Sequence, residues 1–211
     1  YANKKEIEMM KRLDHPHLPS IIDVIESKHA LLIVMDYIEG RSLQAILQEQ
    51  GALPQEEVLK WAVQLSDTLS YLHTRKPPII YRDMKPSNVM LKPDGNVMLI
   101  DFGAAREYQP RKEKDTISLG TRGYAAPEQY GFFQSDVRTD IYAMGVVLNY
   151  MLTGRHISEE TASGGLGRIV KRCTQLDPGK RYDSVTDVKK DFQKIIRKQR
   201  LFLRQGRNGD V

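Results

Sequence analysis

A single cysteine, Cys173, is all the thiol these 211 residues contain, which excludes an internal disulfide and any metal site built from cysteines alone. Thiol this scarce points by default to a reducing, cytosolic setting. Long apolar runs are missing too. The longest, around Tyr142 to Leu152, includes Asn149 and falls short of the roughly 20 residues that cross a bilayer. No secretory signal is visible within these residues. No repeated pattern of aromatic and basic residues marks an RNA-binding platform, so nucleic acid is not an expected partner. The net charge of +5 is modest and suits phosphate-bearing small molecules as well as polyanions. With 40% hydrophobic and 28% charged residues, the composition is that of a globular protein, neither disordered nor fibrous. The first residue is Tyr1 rather than methionine, and we expect a piece of a longer protein, cut at its front.

Periodicity supplies the coarse architecture. Residues 4–13 read as a helix with Ile7, Met10 and Leu13 on one face, stopped by His15-Pro16. Ile21 to Ile25 and Leu31 to Tyr37 read as an antiparallel pair. Ser42 caps a short helix that ends at Gly51, and Pro54 opens a long amphipathic one carrying Val58, Trp61, Ala62, Leu65, Leu69 and Leu72. Trp61 is expected in the core. Two short strands, Val89 to Leu91 and Val97 to Ile100, flank the turn Lys92-Pro93-Asp94-Gly95. Residues 101–128 lack periodicity, and a loop that long inside a compact domain is usually functional. A buried helix at 139–152 stops at Gly154, a loop covers 155–165, and helices follow at 166–175 and 184–200. One mostly helical lobe with a remnant of a sheet results.

The chemistry concentrates in Tyr81-Arg82-Asp83-Met84-Lys85-Pro86-Ser87-Asn88, then Asp101-Phe102-Gly103, then Ala126-Pro127-Glu128. Each fragment alone is commonplace. Together, at these spacings, the set resembles the eukaryotic-type Ser/Thr protein kinases, and bacterial members more than animal ones. The resemblance implies an α+β, protein-kinase-like fold with a mostly helical C-terminal lobe and a partial N-terminal lobe. On that template residues 1–38 are the partial N-lobe with its helix, two strands and hinge, 39–200 the C-lobe, and 201–211 a basic tail.

It also implies ATP and Mg²⁺ as cofactors. Magnesium favours carboxylate and amide oxygens. The hairpin brings positions 88 and 101 to one edge, and the resemblance makes Asp101 the principal metal ligand and Asn88 the second. By the same resemblance Asp83 orients or deprotonates the substrate hydroxyl, Lys85 reaches the transferring phosphate, and Thr121 bonds both. Met35, Asp36 and Ile38 match the gatekeeper and hinge, and Met90 is a further candidate for contact with the cofactor. Glu128 is expected to pair with a buried Arg181, and Asp140 to hold the catalytic loop through its amides. Arg82 suggests a reader of phosphate on Thr116 or Ser118, in an activation loop that ends at Gly120-Thr121.

Two parts of the family pattern are missing. No Gly-x-Gly-x-x-Gly occurs, and the strand lysine that would pair with Glu6 is absent, so the fragment alone is expected to be impaired. The implied partners are ATP and proteins bearing Ser or Thr, with a second copy of the chain for autophosphorylation. A non-catalytic, binding-only kinase fold is the alternative. The basic stretch from Lys189 to Arg207 reads as a solvated helix face. A membrane enters only if a span follows it, which would place the protein on the cytoplasmic face.

Overall fold

The computed structural model describes residues 4–26, 31–109, 121–131 and 134–207. Helix α1 (Lys4–Lys11) buries Ile7 and Met9. Its periodic pattern runs to residue 13, but the last turn tightens, with Arg12 and Leu13 donating to the carbonyls of Met9 and Met10 three residues back. Strands β1 (Ile21–Glu26) and β2 (Leu31–Met35) pair antiparallel, from Ile21 opposite Met35 to Glu26 opposite Leu31. Ile22, Ile25 and Leu32 on this pair are exposed.

The larger part begins with β3 (Arg41–Ser42) and α2 (Leu43–Gln50), where the Ser42 hydroxyl accepts the Ala45 amide as the expected N-cap. Helix α3 (Gln55–His73) starts one residue later than proposed, because Pro54 keeps an extended ψ of 133° and sits outside as the cap. Its apolar stripe packs against α4 (Val137–Thr153) and α6 (Val185–Arg207), while α5 (Gly164–Cys173) packs on α4. Leu65, Leu69, Val147, Val170 and Phe192 meet in one continuous core.

Strand β4 (Ile79–Ile80) pairs with β7 (Arg106–Glu107), inside the stretch that read as plain loop. Two residues are too few for a period to show. Strands β5 (Val89–Leu91) and β6 (Val97–Leu99) form the expected hairpin, extended by β3 into a three-stranded sheet. Side chains clamp this hairpin from two directions. On one side Trp61 donates to the Gly95 carbonyl at 3.3 Å, and Gln64 takes the Val97 amide while bonding Asn96. On the other, His17 donates from its ring to the Val97 carbonyl at 2.8 Å and accepts the Leu99 amide on its own carbonyl.

Helix α5 begins two residues before the proposed start, and α6 runs to Arg207 rather than stopping at 200. Leu201-Phe202-Leu203-Arg204-Gln205 are all competent helix formers, with no breaker before Gly206. No helix among the described residues is long and apolar enough to cross a membrane.

The short α4–α5 connection is knitted by a buried amide. Asn149 donates from Nδ2 to the carbonyls of Glu160 (2.8 Å) and Arg155 (3.2 Å), and its Oδ1 accepts the Ala162 amide (2.8 Å). Truncation strands those three groups, at about 1–3 kcal/mol for a buried polar group left unpaired. Asn149→Ala is therefore expected to lose about 3 kcal/mol, read as a lower urea midpoint with an unchanged slope. Cys173 is fully buried and burial pushes its thiol pKa upward, so native protein should resist thiol reagents that label it fully in urea.

Candidate active site

Asp140, near the start of α4, has no exposed surface. Its Oδ2 accepts the Tyr81 amide at 2.9 Å and its Oδ1 the Arg82 amide at 2.7 Å. His73, from the end of α3, donates to Oδ2 at 2.8 Å. The Arg82 carbonyl is taken by Gln129 Nε2 at 2.7 Å, and Gln129 Oε1 accepts the Ala126 amide. Arg82 is thereby gripped by both its backbone groups in a left-handed conformation, φ 71°, which a non-glycine residue adopts at an energetic cost.

That fixed backbone presents the next side chains. Thr121 Oγ1 donates to Asp83 Oδ1 at 2.7 Å. Lys85 Nζ lies 2.8 Å from both Asp83 Oδ2 and Thr121 Oγ1. Asn88 Nδ2 donates to the Asp83 carbonyl at 2.9 Å and to its Oδ2 at 3.1 Å. Four of the residues named from the sequence thus form one hydrogen-bonded cluster.

Asp101 reaches the same edge through the hairpin. The Ile100 amide donates to the Asn88 carbonyl at 2.9 Å, one step beyond the Val89–Leu99 pair, so positions 88 and 101 lie at the open end of one ladder. Asp101 is also left-handed, φ 64°, with its Oδ1 accepting the Gly103 amide at 3.0 Å. Below it the buried Tyr81 hydroxyl donates to the Ile100 carbonyl, and the Phe102 ring meets Tyr81 edge-on at 5.3 Å. Burial, then the charges of Asp101 and Asp83, hold the Tyr81 phenol well above its ordinary pKa. Both carboxylates therefore bear on one buried ring.

A cleft of about 660 Å³ opens beside Asp101, walled by Met35, Asp36, Ile38 and Met90. A slot of this size, mainly apolar with the carboxylates of Asp36 and Asp101 at its edges, fits a flat base with a metal-bound phosphate chain. No group of three or more His, Cys, Asp or Glu side chains among the described residues could hold a metal unaided. The donor set still suits Mg²⁺, which is commonly held by one or two carboxylates plus substrate phosphates. Asn88 has its Nδ2 committed to Asp83, which leaves its oxygen as the atom to offer. The Asp36 amide is spent on the Ser20 carbonyl, so of its backbone groups the carbonyl is the one left to offer a base.

Glu128 and Arg181 make the expected buried pair, bidentate at 2.7 and 2.9 Å, with Thr139 also donating to Glu128. Thr116, Ser118, Gly120 and the Glu6 side chain lie outside the described residues. Sequence reasoning missed His73, Gln129 and the Tyr81 hydroxyl. Of these only Gln129 carried a signal, by standing directly after Ala-Pro-Glu.

The family model for the protein kinase domain matches residues 2–202. The chain belongs to that family. Several of its curated relatives are named as serine/threonine-protein kinases. A probable serine/threonine-protein kinase of Clostridium perfringens is 31% identical over 91% of the chain and 31% of its own length. The serine/threonine-protein kinase PrkC of Bacillus subtilis is 30% identical over 94% and 34%. The serine/threonine-protein kinase ATG1b of Arabidopsis thaliana is 32% identical over 92% and 27%. The kinase domain described here thus spans about a third or less of the length of these relatives, and it is a member of the eukaryotic-type Ser/Thr class.

Arg181→Ala would leave the Glu128 carboxylate buried without its partner. The expected loss is about 3–5 kcal/mol of unfolding free energy, measured by chemical denaturation.

Proposed function

We propose that the full-length protein is an active Ser/Thr protein kinase, transferring the γ-phosphoryl group of ATP to hydroxyls of protein substrates. The observation that carries this is the cluster of Asp83, Lys85, Thr121 and Asn88, assembled at the end of the hairpin that bears Asp101. A family member that had lost function would be expected to lack one of these side chains.

The roles follow from chemistry. Asp83 is the acceptor to which a substrate hydroxyl would give its proton as the new O–P bond forms and the bond to the departing ADP breaks. Lys85 places a compact positive charge beside Asp83, where negative charge gathers during transfer. Thr121 bridges the two and fixes their spacing. Met35, Asp36, Ile38 and Met90 would enclose the adenine, and Asn88 and Asp101 would hold the metal. Mg²⁺, when bound with ATP, supplies neutralisation of the phosphate charge. We place the junction between the smaller N-lobe part, residues 1–38, and the C-lobe, 39–200, at the wall of this cleft. Proteins bearing Ser or Thr are the proposed substrates, a second copy of the chain among them, in the cytoplasm.

The test is radiolabel transfer from ATP to a generic Ser/Thr protein substrate by the full-length protein, with and without Mg²⁺. Asp83→Asn is expected to lower kcat about 10²- to 10⁴-fold with the fold intact. Asp101→Asn is expected to abolish magnesium-dependent binding of a fluorescent ATP analogue. Wild-type protein that transfers no phosphate at any magnesium concentration would leave the binding-only reading standing instead.

A further inference from the structure

The turn that carries Thr121 rests on a histidine from the short α4–α5 connection. His156 donates from Nε2 to the Gly123 carbonyl at 2.7 Å. Its Nδ1 lies 2.8 Å from the Ser158 hydroxyl and accepts the Ser158 amide at 3.2 Å. Because Nδ1 accepts an N–H, the ring proton belongs on Nε2, and one neutral tautomer satisfies every contact. The Tyr124 ring meets the imidazole edge-on, with centroids 6.1 Å apart.

Gly123 is shaped to this contact. Its φ is 91°, and a Cβ there would come within 3.3 Å of His156 Nε2, so both dihedral and approach call for glycine. The turn then closes on itself, with the Tyr124 and Ala125 amides donating to the Thr121 carbonyl, both at 3.0 Å. Thr121 in turn bridges Asp83 and Lys85. From the other side, His156 stands in the connection that the buried Asn149 knits to α4.

We propose that His156 is a positioning residue for the protein substrate. It pins the 121–125 turn so that Thr121 meets Asp83 and the turn's outer face, with the exposed Arg122, receives the polypeptide beside its Ser or Thr. This rests on the kinase reading above. The bond sits at the rim of the larger lobe rather than in its core, so its loss alters how the turn is presented and leaves the packing of α3, α4 and α6 untouched.

The experiment compares wild type, His156→Ala and His156→Gln in the full-length protein. Gln retains a side-chain amide that can donate to the Gly123 carbonyl. Loss of one such bond is expected to raise the KM for a Ser/Thr peptide about three- to tenfold in the Ala variant, with the KM for ATP unchanged, and Gln is expected to restore it. In parallel, amide hydrogen exchange at Tyr124 and Ala125 is expected to quicken in the Ala variant only, with the interior amides of α4 unchanged. An unchanged peptide KM in His156→Ala, or exchange that quickens throughout α4 and is not rescued by Gln, overturns the inference. If wild type transfers no phosphate, the kinase reading fails, and the exchange measurement still decides whether His156 holds the turn.

Discussion

A carboxylate with no access to water, that of Asp140, governs the geometry of this domain. Burying a charge is costly unless hydrogen bonds replace its hydration, and here the replacements are the amides of Tyr81 and Arg82 and the His73 ring. The exchange is productive because those two amides belong to the residues just before Asp83. One rigid helix, α4, thereby sets the path of the loop that carries the acid, the lysine and the asparagine. The left-handed turn at Arg82 persists because its amide and carbonyl are both claimed, from α4 and from Gln129.

The same helix reaches the site by two further routes. Thr139, one residue before Asp140, donates to Glu128, which locks Arg181 and so ties the segment after Thr121 to the connection between α5 and α6. Asn149, ten residues farther on, organises the connection that ends on Gly123. Three polar side chains of α4, Thr139, Asp140 and Asn149, thus each hold chain outside the helix from a different side of it, while Ile141, Val147 and Leu148 bury its apolar surface in the core.

How legible this was depended on the range of the interaction. Ser42 as a cap, the hairpin turn at 92–95 and the helix stop at Gly154 were readable because the cause lies within a few residues of the effect. The cluster around Asp83 was readable because its spacing matches a family pattern, and Glu128 with Arg181 for the same reason. His73, His17 and Gln64 were not, since a lone histidine or glutamine on a helix or loop gives no sign that its partner lies tens of residues away. The pairing of Arg106–Glu107 with Ile79–Ile80 was hidden by its brevity. The overrun of α6 went unseen for the opposite reason: a pattern fading into charged residues reads as an ending, although lysine, arginine and glutamine sustain a helix well.

Trp61 gives the hairpin clamp a further significance. It is the chain's only indole, it is buried, and its N–H ends on the carbonyl at the hairpin's tip. Its emission therefore belongs to one place and one contact. Fluorescence from this single chromophore follows the seating of β5 and β6 on α3, and through that ladder the spacing of Asn88 and Asp101. The fold carries a built-in optical gauge of whether positions 88 and 101 stand at the same edge.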